Sequence, residues 1–358
     1  MIQSRAANIF SDDDAAHTRQ LIFVSVRLRA DLMLLLCALF WGGTFVAIEM
    51  AVHQMPPYLM VALRFLSAAA AFFPFFLYLK LKREPAPGKA ASTALTSVDS
   101  PSSNTRTWWS PFLGPLAGLA LGVVSFAGYG LQTHGLVFTT PARSAFITQL
   151  LVVFTFPMQI LFLRRKVIPS AYAGLALVLC GAYFLLGSPA GGNWNQGDWL
   201  TIGCALYFAL LIVLLDVFSR RFGTADLTFY QILGTGVLAA AASGLGLDKA
   251  YLPEEENGRD FLLNHSYDGQ LILALLYLAL PATIGTVLLQ VRFQKETSPA
   301  RASLLYAMEP VFAGLFAYLI LGQFLGWSES FGALLIVIGV IVSEVFSAKK
   351  TNHNQSGD

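Results

Sequence analysis

Long apolar runs separated by short polar segments occupy this chain from residue 31 to residue 347. Each run holds about 20 residues, enough for a helix rising ~1.5 Å per residue to cross the roughly 30 Å hydrocarbon core of a bilayer. The pattern predicts an all-α membrane protein with ten transmembrane helices, numbered as spans in chain order. Their ranges are 31–53, 57–79, 111–134, 141–162, 168–187, 198–218, 226–246, 270–291, 299–321 and 327–347.

Part of the chain occurs twice. Thr139-Thr140-Pro141-Ala142-Arg143 returns as Thr297-Ser298-Pro299-Ala300-Arg301, and residues 139–181 share 12 of 43 positions with residues 297–339 without a gap. In both copies the Thr or Ser caps a helix and the proline takes its first position. The unit therefore predicts the start of the fourth span and of the ninth.

The region ahead of this unit is also repeated, at an offset of 167 residues. Three polar or charged positions correspond: Asp31 with Asp198, Glu49 with Asp216, and Arg64 with Gln231. Each repeat holds five spans, and an odd number of crossings brings the second repeat into the membrane from the opposite side. The sequence predicts two inverted five-helix repeats, at residues 31–187 and 198–347.

Composition and charge agree with a membrane protein and predict its orientation. Hydrophobic residues make up 56% of the chain and charged residues only 12%, with a mean hydropathy of +0.62, whereas soluble domains are about 25% charged. With the N-terminus inside, 19 of the 23 Lys and Arg residues lie on the cytoplasmic side, as the positive-inside rule requires. We predict a multi-pass protein of a bacterial inner membrane, with the tails 1–30 and 348–358 both cytoplasmic.

Two connections between spans are long. Residues 84–109 are rich in Pro, Ser, Thr and Ala, which predicts a flexible cytoplasmic loop. Residues 247–269 carry six acids and form the predicted outer loop. That loop is either a solvated acidic connection or a vestibule that concentrates cations.

Glu309 is the ionisable residue that lies deepest in a predicted span, about 15 Å beyond Pro299 along the ninth helix. Even lenient scales put an ionised side chain at the bilayer centre at about 2.5 to 3.5 kcal/mol, so intramembrane acids commonly mark substrate, ion or proton sites. Pro310 cannot donate to the carbonyl of Tyr306, which predicts a helix kink. We predict that Glu309 binds substrate or a proton; a protonated or hydrogen-bonded glutamate in a packing helix is the alternative.

Charged residues also lie near the ends of several spans. Glu49 and Arg64 are both about 10 Å below the predicted outer surface and can pair. The pair either ties the first two spans together or forms an outer gate, and Arg64 can also meet a substrate carboxylate. Arg143 and Arg301, each in the first turn of a span, are predicted to reach lipid headgroups, with a gating role as the alternative.

Aromatic and polar side chains at membrane depth predict a cavity for an organic molecule of mixed polarity. Beside Glu309, the predicted binding residues are Tyr306, Trp41, Tyr207 and Gln149; Tyr129 and Tyr277 belong to the same class without an assigned role. The chain lacks a Walker loop, G-x-G-x-x-G, H-E-x-x-H and metal-type Cys/His spacing. We therefore predict no enzyme activity, no cofactor, no metal site and no nucleic-acid partner.

The order of short motifs resembles the ten-helix, EamA-like branch of the drug/metabolite transporter superfamily. The resemblance covers residues 31–347 and is carried by Phe40-Trp41-Gly42-Gly43-Thr44-Phe45-Val46, Arg64, the two Pro-Ala-Arg helix starts, Glu309-Pro310-Val311-Phe312, and Gly332 to Gly339. The chain departs from the family where a Gly-Glu pair often follows the ninth span, because it has Gly322-Gln323 there and Arg164-Arg165 in the first repeat.

The resemblance implies a secondary transporter with a central cavity between the repeats. Its substrate would be a small organic metabolite, such as an amino acid or related compound moved outward by alternating access. Import or exchange of sugar phosphates or nucleotide-type compounds is the alternative within the superfamily, and a non-transporting scaffold or sensor is the alternative from another class. The expected partners are that substrate and the lipid bilayer; proton coupling and the choice between monomer and homodimer stay open.

Overall fold

The computed structural model describes residues 27–44, 47–48, 55–83, 110–136, 138–139, 141–186, 194–249, 268–322, 324 and 326–353. Within these ranges the chain is helical apart from short turns. Several predicted features lie outside the described residues. They are the loop 84–109, residues 1–26 and 354–358 of the two tails, residues 250–267 of the acidic loop, and Glu49.

Thirteen α-helices are assigned across the described ranges. They are α1 (27–44), α2 (Pro57–Arg83), α3 (Ser110–Leu136), α4 (Pro141–Thr148), α5 (Leu150–Leu163), α6 (Pro169–Leu186), α7 (Gln196–Ser219), α8 (Thr224–Gly244), α9 (Gly269–Ala279), α10 (Thr286–Phe293), α11 (Pro299–Tyr306), α12 (Glu309–Leu321) and α13 (Trp327–His353). A π-helical segment, Leu280–Gly285, joins α9 to α10, and a 3₁₀ turn, Gln294–Glu296, follows α10.

The helices reproduce the predicted spans with three internal interruptions. Six stretches are long and apolar enough to cross a membrane: Pro57–Lys82, Phe112–Gly135, Gln196–Ser219, Thr224–Gly244, Gly269–Glu296 and Pro299–Ile320. Shorter apolar helices lie at Leu150–Leu163, Pro169–Leu185 and Trp327–Ser343. The fourth span is α4 with α5, the eighth is α9 to α10, and the ninth is α11 with α12. The breaks in the fourth and eighth spans were not predicted, whereas the break in the ninth lies next to Pro310, where a kink was predicted.

The crossing of α6 and α13 shows how the two repeats are related. A Cβ added at Gly174 would lie 2.7 Å from the carbonyl oxygen of Gly339, and one at Gly181 would lie 2.6 Å from that of Gly332. In the sequence repeat, Gly174 corresponds to Gly332 and Gly181 to Gly339. A two-fold rotation that exchanges the repeats therefore maps one contact onto the other. This confirms the prediction of two inverted five-helix repeats.

We expect Gly181→Ala to lower the stability of the protein by about 1 to 3 kcal/mol, because the new methyl group meets backbone that cannot move without separating α6 from α13. The midpoint of thermal unfolding in detergent, followed by size-exclusion chromatography, measures this. Gly244→Ala is the matched control, since a Cβ there has no atom within 4 Å. Equal midpoints for the two variants would contradict the packing argument.

Helices from both repeats combine into two groups. In the first group, the first span packs on the eighth and ninth: the Tyr277 hydroxyl donates to the carbonyl of Phe40 at 2.8 Å, and the Trp41 ring meets that of Tyr306 at 5.1 Å. In the second group, the sixth span packs on the third and fourth, with Phe208 against Tyr129 at 5.1 Å. We call these the 1-8-9 group and the 3-4-6 group. The same two-fold rotation exchanges them.

Candidate functional site

The fourth and ninth spans are interrupted at equivalent positions. α4 ends at Thr148 and α5 begins at Leu150, while α11 ends at Tyr306 and α12 begins at Glu309. Gln149 corresponds to Ala307 in the repeat, so the interruption belongs to the fold of each repeat. Both breaks are tightened turns with i to i+3 hydrogen bonds, from Val152 N to Gln149 O at 3.1 Å and from Met308 N to Leu305 O at 3.2 Å.

Glu309 is the first residue after the break in the ninth span, and Pro310 follows at a position where its missing N–H costs the helix little. The Glu309 side chain keeps intermediate exposure. Its carboxylate has no hydrogen-bond partner among the residues that the structure describes. Arg64, Tyr129 and Cys204, which come from the second, third and sixth spans, lie within range of its charge. Glu309 therefore lies where the two helix groups face each other.

Arg64 is buried in the second span and is held by the π-helical segment of the eighth. Its Nε donates to Thr283 Oγ1 at 2.7 Å and its Nη2 to the carbonyl of Ala282 at 2.9 Å. The guanidinium also lies over the Tyr129 ring, 5.2 Å from the centroid. The position of α2 is fixed in turn by Asp248, which accepts the backbone N–H of Tyr58 and of Leu59 at 3.0 and 2.9 Å. Buried contacts thus define where the charge of Arg64 sits.

Tyr306 lies on the other side of the break from Glu309 and is buried. Its hydroxyl donates to Gln294 Oε1 at 3.1 Å. The first repeat contains a related contact, in which Gln132 Nε2 donates to Thr148 Oγ1 at 3.4 Å. At the offset of 158 residues, Gln132 corresponds to Gln290 and Thr148 to Tyr306. Each break is therefore preceded by a side chain that bonds to a glutamine of the neighbouring span.

The remaining predicted site residues fall in different places. Gln149 is buried at the break in the fourth span, and Trp41 packs on Tyr306. Tyr207 is 37% exposed, and its ring makes no aromatic contact with the described residues; the next residue, Phe208, is the one that contacts Tyr129. The predicted pair of Glu49 with Arg64 cannot be placed, because Glu49 lies outside the described residues.

Polar contacts between the two helix groups gather at one end of the molecule, which we call the basic face because Arg220, Arg292 and Lys295 lie there. Three contacts join the groups at this face. Gln159 Oε1 accepts the N–H of Ala300 at 2.9 Å, Gln294 Nε2 donates to the carbonyl of Ile212 at 2.6 Å, and Arg220 Nη2 donates to the carbonyl of Thr297 at 3.3 Å. These contacts close the space around Glu309 toward the basic face.

The sequence predicted that Arg301 contacts lipid headgroups, but in the structure it pairs with an acid. Its Nη2 donates to Asp31 Oδ2 at 2.6 Å, and both side chains are largely buried. Since α1 and α11 belong to the same helix group, this pair holds that group together. A second acid, Asp216, is fully buried between Arg165 and Arg220, at 2.9 and 2.7 Å.

Sequence reasoning assigned no role to Thr283, Tyr129 or Gln294. The signal for Thr283 was Pro281, a proline inside an apolar run of the eighth span, where a missing N–H favours a local π-helical turn. Gln294 carried no signal, because its partners lie 82 residues upstream and 12 downstream. Within the described residues, no group of three or more His, Cys, Asp or Glu side chains could hold a metal ion.

Comparison with known proteins decides the family. Residues 28–187 and 195–344 each match the model of the EamA-like transporter family. The chain belongs to this family. As an EamA-like transporter, it is a multi-pass membrane protein that moves small molecules across the bilayer, and it is not an enzyme. The predicted resemblance to the drug/metabolite transporter superfamily is confirmed.

Individual relatives cover nearly the whole of this EamA-like transporter. An uncharacterized transporter of Archaeoglobus fulgidus is 30% identical over 316 residues, which are 88% of this chain and 86% of the relative. A probable amino-acid metabolite efflux pump of Salmonella typhimurium is 25% identical over 317 residues, 86% of this chain and 92% of the relative. A protein of known crystal structure, 20% identical, superimposes with a TM-score of 0.65 over 91% of this chain and 99% of its own. That likeness shows a shared fold.

Proposed function

We propose that this transporter exports amino acids or closely related compounds by alternating access, and that Glu309 is the group that binds the substrate ammonium or a coupled proton. The observation that carries the proposal is the carboxylate itself. It stands at a helix break, partly accessible and without a hydrogen-bond partner in the described part of the chain. An acid kept in that state inside a membrane protein is suited to an exchangeable cation or proton.

Alternating access is supported by the arrangement of the two helix groups. They are related by a two-fold rotation in the inverted repeat, so a rocking motion that opens one end closes the other. The three polar contacts at the basic face hold that end closed. With the basic face placed in the cytoplasm, as the distribution of Lys and Arg predicts, this is the outward-open arrangement of the proposal.

The amino-acid substrate is supported by two points. The Salmonella relative is named a probable amino-acid metabolite efflux pump. Aromatic rings also lie near the charged side chains of the site, because the Tyr129 ring is against the Arg64 guanidinium and Trp41 packs on Tyr306, just before the break. Such a setting suits an organic zwitterion better than a multiply charged anion. A phosphorylated sugar would call for more than one cation in this space.

Transport by purified protein in liposomes tests the proposal. Vesicles are loaded with each amino acid in turn, and exchange against the same labelled amino acid outside is followed, with sugar phosphates and nucleotides as a second panel. We expect exchange of at least one neutral amino acid above protein-free vesicles. Exchange of phosphorylated compounds alone would refute the amino-acid proposal and favour the exchanger, and exchange of nothing in either panel would favour a scaffold or sensor.

A further inference from the structure

Arg64 is a buried cation whose hydrogen bonds go to neutral groups. It is 6% exposed, and its acceptors are the Thr283 hydroxyl and the Ala282 carbonyl. No carboxylate of the described residues forms an ion pair with it. A buried charge is normally paired, since desolvation costs several kcal/mol per ion. Within the described part of the chain no anion is bound to Arg64, so its guanidinium can take up an anionic ligand.

The contacts of Arg64 with the eighth span determine which edge of its guanidinium can bind an anion. Thr283 gives its own hydroxyl proton to the carbonyl of Leu278 at 2.8 Å, so it can only accept from Arg64. The Ala282 carbonyl also accepts from Thr286 Oγ1 at 3.0 Å. Because Nε and Nη2 are held by this segment, the end of the guanidinium that carries Nη1 and the second N–H of Nη2 is the edge left for a ligand. That edge matches a carboxylate in a bidentate arrangement.

Glu309 supplies the opposite charge across the same space. The two side chains interact electrostatically, yet they form no direct salt bridge. Two opposite charges that lie near each other without touching can both be matched by one ligand that carries a carboxylate and an ammonium group.

The charged pair is not required by the fold. The repeat builds the same helices with Gln231 at the position of Arg64 and Leu151 at the position of Glu309, and both of these neutral residues are buried. A structural need for the charges would apply to both halves, because both halves have the same helices and the same breaks. The difference between the repeats points to a ligand that occupies one side of the two-fold axis.

We propose that Arg64 binds the carboxylate and Glu309 the ammonium of an α-amino acid, so that the site selects zwitterions. This rests on the proposed function and adds a second recognition residue to it. The Tyr129 ring against Arg64 and the Trp41 ring against Tyr306 give the remaining side chain of the substrate an apolar and aromatic setting. Large neutral amino acids are the class that fits.

Binding of three related probes to the purified transporter tests this assignment. L-phenylalanine carries both charges, L-phenylalaninamide lacks the carboxylate, and 3-phenylpropionate lacks the ammonium. Affinities are obtained from titrations of thermal stabilisation in detergent. For the wild type we expect phenylalanine to bind about tenfold or more tightly than either analogue, because each analogue leaves one buried charge unmatched.

Two variants then assign each charge to its residue. Arg64→Gln copies the residue of the other repeat, and we expect it to weaken phenylalanine by about tenfold while leaving phenylalaninamide nearly unchanged. Glu309→Gln should weaken phenylalanine similarly and leave 3-phenylpropionate nearly unchanged. Gln231→Ala, at the equivalent position in the second repeat, is the control and should keep the wild-type order of affinities. Ratios of affinities within one preparation do not depend on how much of a variant is folded.

The possible outcomes distinguish a failure of the zwitterion site from a failure of the proposed amino-acid transport. Wild-type protein that binds phenylalanine and its amide equally overturns the role of Arg64 even if no variant folds. An unchanged preference for phenylalanine over the amide in Arg64→Gln does the same. If no amino acid binds to the wild type or is exchanged in liposomes, the proposed function fails, and the zwitterion site with it.

Discussion

Replacing Glu309 with glutamine should lower amino-acid exchange in liposomes by about tenfold or more, since the loss of a charge partner in a desolvated site costs at least ~2 kcal/mol. Glutamine has nearly the same size and can occupy the same place after the break, so the helix start is retained. Glu309→Ala should be equally impaired. The measurement is the initial rate of exchange of labelled amino acid, normalised to the amount of folded protein in the vesicles.

A surface acid provides the control for this change. Glu296→Gln removes the carboxylate of an exposed pair with Arg292 in the 3₁₀ turn, and such pairs contribute little to stability. Its exchange rate should equal that of the wild type. If Glu309→Gln and Glu309→Ala both exchange amino acids like Glu296→Gln from about pH 5.5 to about pH 8, the central residue of the proposal is wrong.

The same variants separate substrate binding from proton coupling at Glu309. Exchange at equal pH on both sides needs substrate binding but no net proton movement, whereas accumulation driven by a pH gradient needs both. A glutamine variant that keeps exchange and loses gradient-driven accumulation would assign the carboxylate to the proton. Loss of both would assign it to the substrate.

Apolar periodicity and the sequence repeat were sufficient to predict the ten spans and their inversion. The reason is physical: in a bilayer every backbone polar group must be satisfied within a helix, so length and hydropathy determine where the chain crosses. The repeat then determined the direction of each crossing.

The interruptions were harder to predict, because sequence gave a signal for only some of them. Pro310 indicated a kink in the ninth span, but the fourth span is interrupted at the equivalent place with Val152 where the other repeat has proline. There the tightened turn is accompanied by Thr148, whose hydroxyl returns to the carbonyl of Ser144 at 2.8 Å, a contact that bends helices. Proline is therefore one of two ways in which this chain stabilises the same turn.

Contacts between distant residues explain the rest of the difference. Arg301 and Asp31 are 270 positions apart, and a charge in the first turn of a membrane helix looks the same in sequence whether it meets lipid or a partner acid. Likewise, the depth of Arg64 and a pair with Glu49 could be predicted, but its hydrogen-bond acceptors could not, because they belong to a π-helical turn of another span. Depth follows from position along one helix, while pairing needs the packing of several.

The pair of Asp31 with Arg301 should be one of the strongest single contacts within the 1-8-9 group. Asp31→Asn leaves the guanidinium without its counter-charge in a largely buried place, and we expect a loss of about 2 to 3 kcal/mol, below the range for fully buried pairs because both side chains keep some solvent contact. The readout is the thermal unfolding midpoint in detergent, with amino-acid exchange measured alongside.

A charge reversal distinguishes the pair from other effects of the substitution. Asp31→Arg and Arg301→Asp should each unfold at a lower temperature than the wild type, and combining them should recover much of the loss, because the attraction is restored with its direction inverted. Arg292→Gln, which breaks the exposed pair with Glu296, should stay close to the wild type. If the combined variant is as unstable as the sum of its two parts, the two residues act independently, and the contact between α1 and α11 does not hold the 1-8-9 group together.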